Sequence, residues 1–217
     1  MNTLESILTY KLIAISRGVE SRLMPELCAS LVRGGIRLME VTFDHASPEG
    51  AENTLACIRA VKSCCGDKLR VGAGTVLSAD EARLAAEAGA EYIISPNVNP
   101  AVIMETKRLG LISVPGAMTP TEAETAVEAG ADLVKLFPAA ALGTAYFKAI
   151  TAPLSHIRFV PTGGITPENL PEFLRLGAVA FGIGGNLISA KKAAAGDFAS
   201  IENAARAFTE ALGTNTL

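Results

Sequence analysis

Lys135 lies in the run Ala131-Asp132-Leu133-Val134-Lys135-Leu136-Phe137-Pro138, an apolar, strand-like segment where an ammonium group is held away from bulk water. Desolvation disfavours the charged form, lowers the pKa and leaves a fraction of free amine near neutral pH. A free amine can attack a ketone and form a Schiff base. The plainer reading is an edge lysine whose head snorkels to water or pairs with Asp132. The second candidate is Glu40, in Leu38-Met39-Glu40-Val41-Thr42-Phe43. Strand alternation puts Leu38, Glu40 and Thr42 on one face and Met39, Val41 and Phe43 on the other, and likewise groups Leu133, Lys135 and Phe137. If both faces point inward, the acid meets the amine, and each offsets part of the other's desolvation. Such a pair is either structural or an imine-forming lysine whose protons are shuttled by Glu40.

The elements that must position these groups follow from hydrophobic patterning. Apolar runs at 12–17, 38–43, 71–76, 92–96, 112–115, 133–137, 159–162 and 179–183 read as buried strands, separated by Ala- and Glu-rich stretches with helical spacing. Helices are predicted to begin at Ser78, Thr119 and Thr166, each followed by an acid within the first turn. They are predicted to stop at glycines that precede strands: Gly34-Gly35, Gly89, Gly110, Gly130 and Gly177. Eight alternating units imply parallel βαβ connections and an α/β fold, a (β/α)8 TIM barrel in a single domain over 1–217, with an open doubly wound sheet as the alternative. No linker interrupts the run. In a barrel the chemistry gathers at the C-terminal ends of the strands.

Two glycine-rich ends bear on the ligand. Thr162-Gly163-Gly164-Ile165 follows the seventh strand and Gly182-Ile183-Gly184-Gly185-Asn186 the eighth, where barrels present backbone N–H groups to phosphate. Gly72-Ala73-Gly74-Thr75 closes the third strand in a similar way. Glycines also serve ordinary turns, but neighbouring loops of this kind point to an anionic ligand. The two histidines, His45 and His156, lie far apart without a carboxylate–histidine pattern, so no metal and no other cofactor is expected. His45 is read as a surface residue or one that faces the pocket. No nucleophile elbow is present.

Composition sets the wider frame. The chain has 217 residues, 49% hydrophobic and 19% charged, enough to bury a core without disulfides or metal. A net charge of -3 with no basic cluster offers nothing to nucleic acid. Cys28, Cys57, Cys64 and Cys65 show no zinc-ligand spacing, and adjacent Cys64-Cys65 is poor disulfide geometry, so reduced thiols in a cytoplasmic protein are expected. Met1–Tyr10 lacks the apolar stretch of a signal peptide, and no later run is long and uncharged enough to span a bilayer, so no membrane partner is expected.

Glu40-Val41-Thr42, Val71-Gly72-Ala73-Gly74-Thr75-Val76, Ile94-Ser95-Pro96, Val114-Pro115-Gly116, Lys135-Leu136-Phe137-Pro138, Val160-Pro161-Thr162-Gly163-Gly164 and Gly184-Gly185-Asn186 together resemble one family. It is the bacterial 2-keto-3-deoxy-6-phosphogluconate (KDPG) and 4-hydroxy-2-oxoglutarate (KHG) aldolases, and the likeness runs in order from about Ile7 to Leu212. The resemblance implies a class I, metal-independent aldolase on a homotrimeric (β/α)8 barrel, acting on a small keto acid. It implies Lys135 as the Schiff-base lysine and Glu40 as the acid/base acting through a water. Thr75, Pro96, Phe137 and Thr162 would line the pyruvate half of the pocket, and Gly163, Gly164, Gly184 and Gly185 would hold a distal phosphate. Where some members carry an arginine four residues beyond the glutamate, this chain has Asp44, which cannot hold a carboxylate. Arg17, at the end of the first strand, is the natural replacement, and Asp44 becomes a candidate for a sugar hydroxyl. Asn186 stands where a phosphate-binding serine is common, and its amide can donate. A phosphosugar barrel with isomerase, epimerase or decarboxylase chemistry, and a non-catalytic sugar-acid binding protein, are the alternatives.

Overall fold

The computed structural model describes residues 1–213. Each predicted strand has its counterpart: β1 (Leu12–Ser16), β2 (Leu38–Thr42), β3 (Arg70–Gly74), β4 (Tyr92–Ile94), β5 (Ile112–Val114) with β6 (Gly116–Ala117), β7 (Val134–Leu136), β8 (Phe159–Pro161) and β9 (Phe181–Ile183). The expected fifth strand is divided in two at Pro115, which has no N–H to continue a ladder. All strand pairs are parallel. They form a six-stranded sheet in the order β5-β4-β3-β2-β1-β9 and a three-stranded sheet in the order β6-β7-β8. Pro115 alone separates the sheets at one end, and its carbonyl accepts from Lys135 N at 2.8 Å. At the other end an isolated parallel bridge joins Thr162 to Gly182, and Val179 N donates to Phe159 O at 3.1 Å.

The helices are α1 (Thr3–Tyr10), α2 (Met24–Arg33), α3 (Gly50–Cys65), α4 (Ala79–Ala88), α5 (Pro100–Arg108), α6 (Pro120–Glu128), α7 (Ala139–Thr151), α8 (Leu170–Arg175), α9 (Ala190–Ala194) and α10 (Phe198–Ala211). Ser78 and Thr119 cap α4 and α6 through reciprocal bonds with Glu81 and Glu122. The third predicted start moves: Thr166-Pro167-Glu168 forms a turn closed by Thr166 and Asn169, and α8 begins only at Leu170. All five predicted helix stops carry positive φ at glycine, from +74° at Gly110 to +103° at Gly130.

Two apolar layers follow from strand alternation. Met39, Val41, Phe43, Val71, Ala73, Val134, Leu136 and Phe181 face the helices in the larger core. Ile13, Leu38, Tyr92, Ile94, Val114, Leu133, Val160 and Ala180, drawn from both sheets, form a separate inner cluster with Ile7 of α1. Such a cluster requires the sheets to curl around a shared interior. The first residues, expected only not to be a signal, are the helix that plugs its lower end.

Tyr92 is the largest side chain of that interior. It is fully buried, and its hydroxyl donates to Met39 O at 2.6 Å. Gly72 makes room for it, since a Cβ there would sit 2.2 Å from the ring. Gly72→Ala is therefore expected to cost about 1–3 kcal/mol through overpacking, read as a lower urea midpoint with unchanged slope; an unchanged midpoint would contradict this packing.

Candidate active site

The interior is apolar at its lower end and ionisable at the level where the strands terminate. Lys135 and Glu40 occupy the inward face of β7 and β2, with exposures of 7% and 1%. The pairing with Asp132 is overturned: Asp132 accepts from Lys107 Nζ at 2.7 Å, leaving Lys135 to the interior. Lys135 Nζ lies 5.2 Å from the centroid of the Phe137 ring. Glu40 Oε2 has no hydrogen-bond partner among the described residues. Space for the carboxylate comes from Gly74, where a Cβ would fall 1.7 Å from Glu40 Oε1. The glycines of Gly72-Ala73-Gly74 thus serve side chains of other strands, Tyr92 and Glu40, and do not form an anion loop.

Burial governs both titrations. Desolvation raises the Glu40 pKa, while the charges of Lys135 and Arg17 pull it down less strongly. Desolvation lowers the Lys135 pKa, Glu40 opposes that shift, and Arg17 adds to it. Each group is driven toward its neutral form, and transfer of the carboxyl proton to the amine converts the neutral pair into a buried ion pair with no change in net charge.

Above the pair opens a cavity of about 710 Å³ lined by Arg17, Glu40, Thr75, Pro96, Lys135, Phe137, Thr162, Gly163, Gly164, Gly184, Gly185 and Asn186. The structure thus brings together every expected site residue except Asp44. Asp44 lines a separate cavity of about 240 Å³ with Ser16, Thr42 and Asn53, and its carboxylate accepts from Ala46 N at 2.9 Å. Asp44 is therefore not among the residues that line the cavity over Lys135. Arg17, exposed at the end of β1, forms no ion pair among the described residues and is the cavity's available guanidinium.

The two glycine loops differ in kind. Gly163 and Gly164 have φ of +92° and +74°, and a Cβ on Gly164 would meet Ala140 Cβ at 2.5 Å. Gly184 and Gly185 face open space with nothing within 4 Å of a Cβ. Asn186 ties the loops together, its Nδ2 donating to Ile165 O at 2.7 Å. The backbone N–H groups of Gly185 and Asn186 donate to no backbone carbonyl among the described residues, which leaves them available to an anion.

Several contributors escaped the sequence reading. Ile15, Ile165, Ile188, Ser189 and Ala190 also line the cavity; only Ile15, two residues before Arg17 on the same strand face, carried a readable signal. Thr75 adopts a left-handed φ of 55°, rare for a β-branched residue. Its carbonyl contacts His45 Nε2 at 3.0 Å, and His45 Nδ1 lies 3.5 Å from Glu81. His45 therefore holds the Thr75 backbone from behind without lining the cavity. His156 lies elsewhere, 3.1 Å from Glu124.

Comparison with known proteins gives consistent matches. The family model described as KDPG and KHG aldolase matches residues 5–204. The 2-dehydro-3-deoxy-phosphogluconate aldolase of Treponema pallidum (strain Nichols) is 41% identical over 81% of this chain and 80% of its own length. The 2-dehydro-3-deoxy-6-phosphogalactonate aldolase of Escherichia coli (strain K12) is 36% identical over 82% and 85%. A solved structure titled "Native KDPGal structure" superposes with a TM-score of 0.84 at 33% identity, covering 93% of this chain and 94% of the other.

The Glu40 shift has a stability consequence. The folded carboxyl keeps its proton at pH values where the unfolded chain, titrating near the usual 4.5, has lost it. Its contribution is complete below 4.5 and is lost as pH rises through the raised folded value. Glu40→Gln is expected to melt above the wild type beyond that window, the gap narrowing as pH falls toward 4.5. Thermal unfolding across pH tests this, and a wild type more stable than Glu40→Gln above neutrality would refute it.

Proposed function

The chain belongs to the KDPG and KHG aldolase family, and from that premise we propose that it is a class I aldolase cleaving a 2-keto-3-deoxy sugar acid. KDPG and 4-hydroxy-2-oxoglutarate are the favoured substrates, and pyruvate and an aldehyde are the products. The observation that carries this reading is a lysine depressed by burial at the base of an open cavity, facing an equally buried carboxyl. A relative named for the phosphogalactonate substrate makes that epimer a further candidate.

In the proposed reaction the free amine of Lys135 adds to the C2 ketone, and the carbinolamine takes the proton of the neutral Glu40 carboxyl and loses water, giving a protonated imine and the Glu40 carboxylate. The imine accepts the electron pair of the C3–C4 bond as Glu40, through a water, takes the C4 hydroxyl proton. The aldehyde departs and leaves pyruvate as its enamine. Glu40 returns the proton to C3, and water hydrolyses the imine to free pyruvate and the amine. Arg17 is assigned to the substrate carboxylate. Thr75, Pro96, Phe137 and Thr162 are assigned to the pyruvate half, and the loops at Gly163-Gly164 and Gly184-Gly185-Asn186 to the distal phosphate.

We also read the two sheets as one closed (β/α)8 barrel, supported by the shared inner cluster and by the contacts at Pro115 and Thr162. The expected domain runs over 1–217, of which 214–217 lie outside the described residues. A cytoplasmic location is supported by four free cysteines, and no helix among the described residues is long and apolar enough to cross a membrane. A homotrimer is supported by Leu77, Leu84, Met104 and Met118, exposed apolar side chains along α4, α5 and the entry to α6. Light scattering should return three chain masses; a single chain mass would reject the trimer.

Borohydride reduction in the presence of pyruvate, followed by peptide mass spectrometry, should place a pyruvyl adduct on Lys135 and nowhere else. Lys135→Met should give neither adduct nor turnover. Glu40→Gln should still trap pyruvate but turn over about 10²–10⁴-fold more slowly. A folded wild-type protein without adduct would exclude the imine mechanism and favour an isomerase-like or binding role.

A further inference from the structure

All four cysteines are free thiols, and the fold brings three of them together. Cys28, on α2, and Cys64 and Cys65, the last two residues of α3, bring their sulfurs within 4.8 Å of one another. Cys64 Sγ and Cys65 Sγ are 3.4 Å apart, and Cys28 Sγ lies 3.9 Å from Met39 Sδ on the outer face of β2. Cys28 is buried, Cys65 half-buried and Cys64 exposed, so the cluster reaches from solvent to the core. Sequence spacing hides it, because 36 residues and a strand separate Cys28 from Cys64.

A disulfide uses these groups poorly. Adjacent residues have Cα atoms about 3.8 Å apart across a trans peptide, below the roughly 4.4–6.8 Å usual for a disulfide. Any single disulfide would also leave one sulfur unpaired. One ion bound by all three thiolates leaves none. With metal–sulfur bonds of about 2.3 Å, a trigonal site needs sulfurs about 4.0 Å apart, and here Cys64 and Cys65 are 3.4 Å apart with all three sulfurs inside 4.8 Å of one another, close enough to share one ion.

We propose that Cys28, Cys64 and Cys65 form a binding site for a soft, low-coordinate monovalent cation, Cu(I), with the Met39 thioether as a neighbouring soft donor. Thiolate and thioether favour Cu(I), and the cluster contains no imidazole or carboxylate to complete a zinc tetrahedron. The ion enters past the exposed Cys64. Each thiol that coordinates releases its proton to solvent, with no change in oxidation state. Because coordination displaces those protons, binding should tighten as pH rises. The bound ion would clamp α2 to α3 over β2, the strand that carries Glu40. This assignment does not depend on the aldolase reading.

The test is anaerobic titration of the full-length protein with Cu(I) against bicinchoninate, with near-ultraviolet thiolate-to-copper absorption as the direct signal. The expected result is one Cu(I) per chain, a higher melting temperature on binding, and tighter binding at higher pH. Cys28→Ala and the more exposed Cys64→Ser should each weaken binding at least tenfold. Cys57→Ala should leave it unchanged, since Cys57 Sγ lies elsewhere against Val19 O. No copper retained against the competitor, Cu(I) bound equally well by both variants, or Zn(II) held as tightly as Cu(I) would each overturn the assignment.

Discussion

Removal of Lys135 and Glu40 from water is the constraint on which the rest of the structure depends. Each would be charged near neutral pH in the unfolded chain, and each is driven toward neutrality by the same burial. A buried charge is tolerated only when paired or neutralised. Here Glu40 Oε2 has no hydrogen-bond partner among the described residues, and under the proposed function that oxygen is the one offered to the substrate's proton. A fully hydrogen-bonded pair would be steadier and less available to a ligand.

The surroundings are arranged to keep the two groups dry from below and open from above. Ile7 and the inner cluster seal the lower interior, and Tyr92 fills its centre. Gly72 and Gly74 withhold side chains where Tyr92 and Glu40 need the volume. At the strand ends the chemistry changes from apolar side chains to backbone: the loops at Gly163-Gly164 and Gly184-Gly185 leave room for an anionic ligand to approach the peptide groups. Thr75 is held in its left-handed turn by His45, which is itself oriented by Glu81, also part of the α4 cap. A surface capping box is thereby connected to a residue of the cavity wall.

What could be read in the chain was whatever depends on local periodicity. The strand alternation that set Glu40 apart from Met39 and Lys135 apart from Leu136 holds in the two separate cores, and the glycine stops adopt the positive φ their positions require. Features set by a distant partner were not legible. Gly72 and Gly74 look like a ligand loop until Tyr92 and Glu40 are seen against them. Asp44 looks like a pocket residue until the turn after β2 carries it into another cavity. The convergence of Cys28 on Cys64 and Cys65 follows from helix packing alone. The break at Pro115 has a local cause, the missing N–H, but its consequence, one segment serving two sheets, is tertiary.

The central claim is that burial holds the Lys135 amine in a state able to attack a carbonyl, and its ionisation is the most direct test. Carbon-detected NMR of labelled lysine side chains, with the Lys135 signal assigned from Lys135→Met, would follow that titration in the unliganded protein. The account predicts a midpoint below the usual 10.5, falling further in Glu40→Gln because the carboxylate favours the ammonium form. A midpoint at or above 10.5, unmoved by Glu40→Gln, would contradict it.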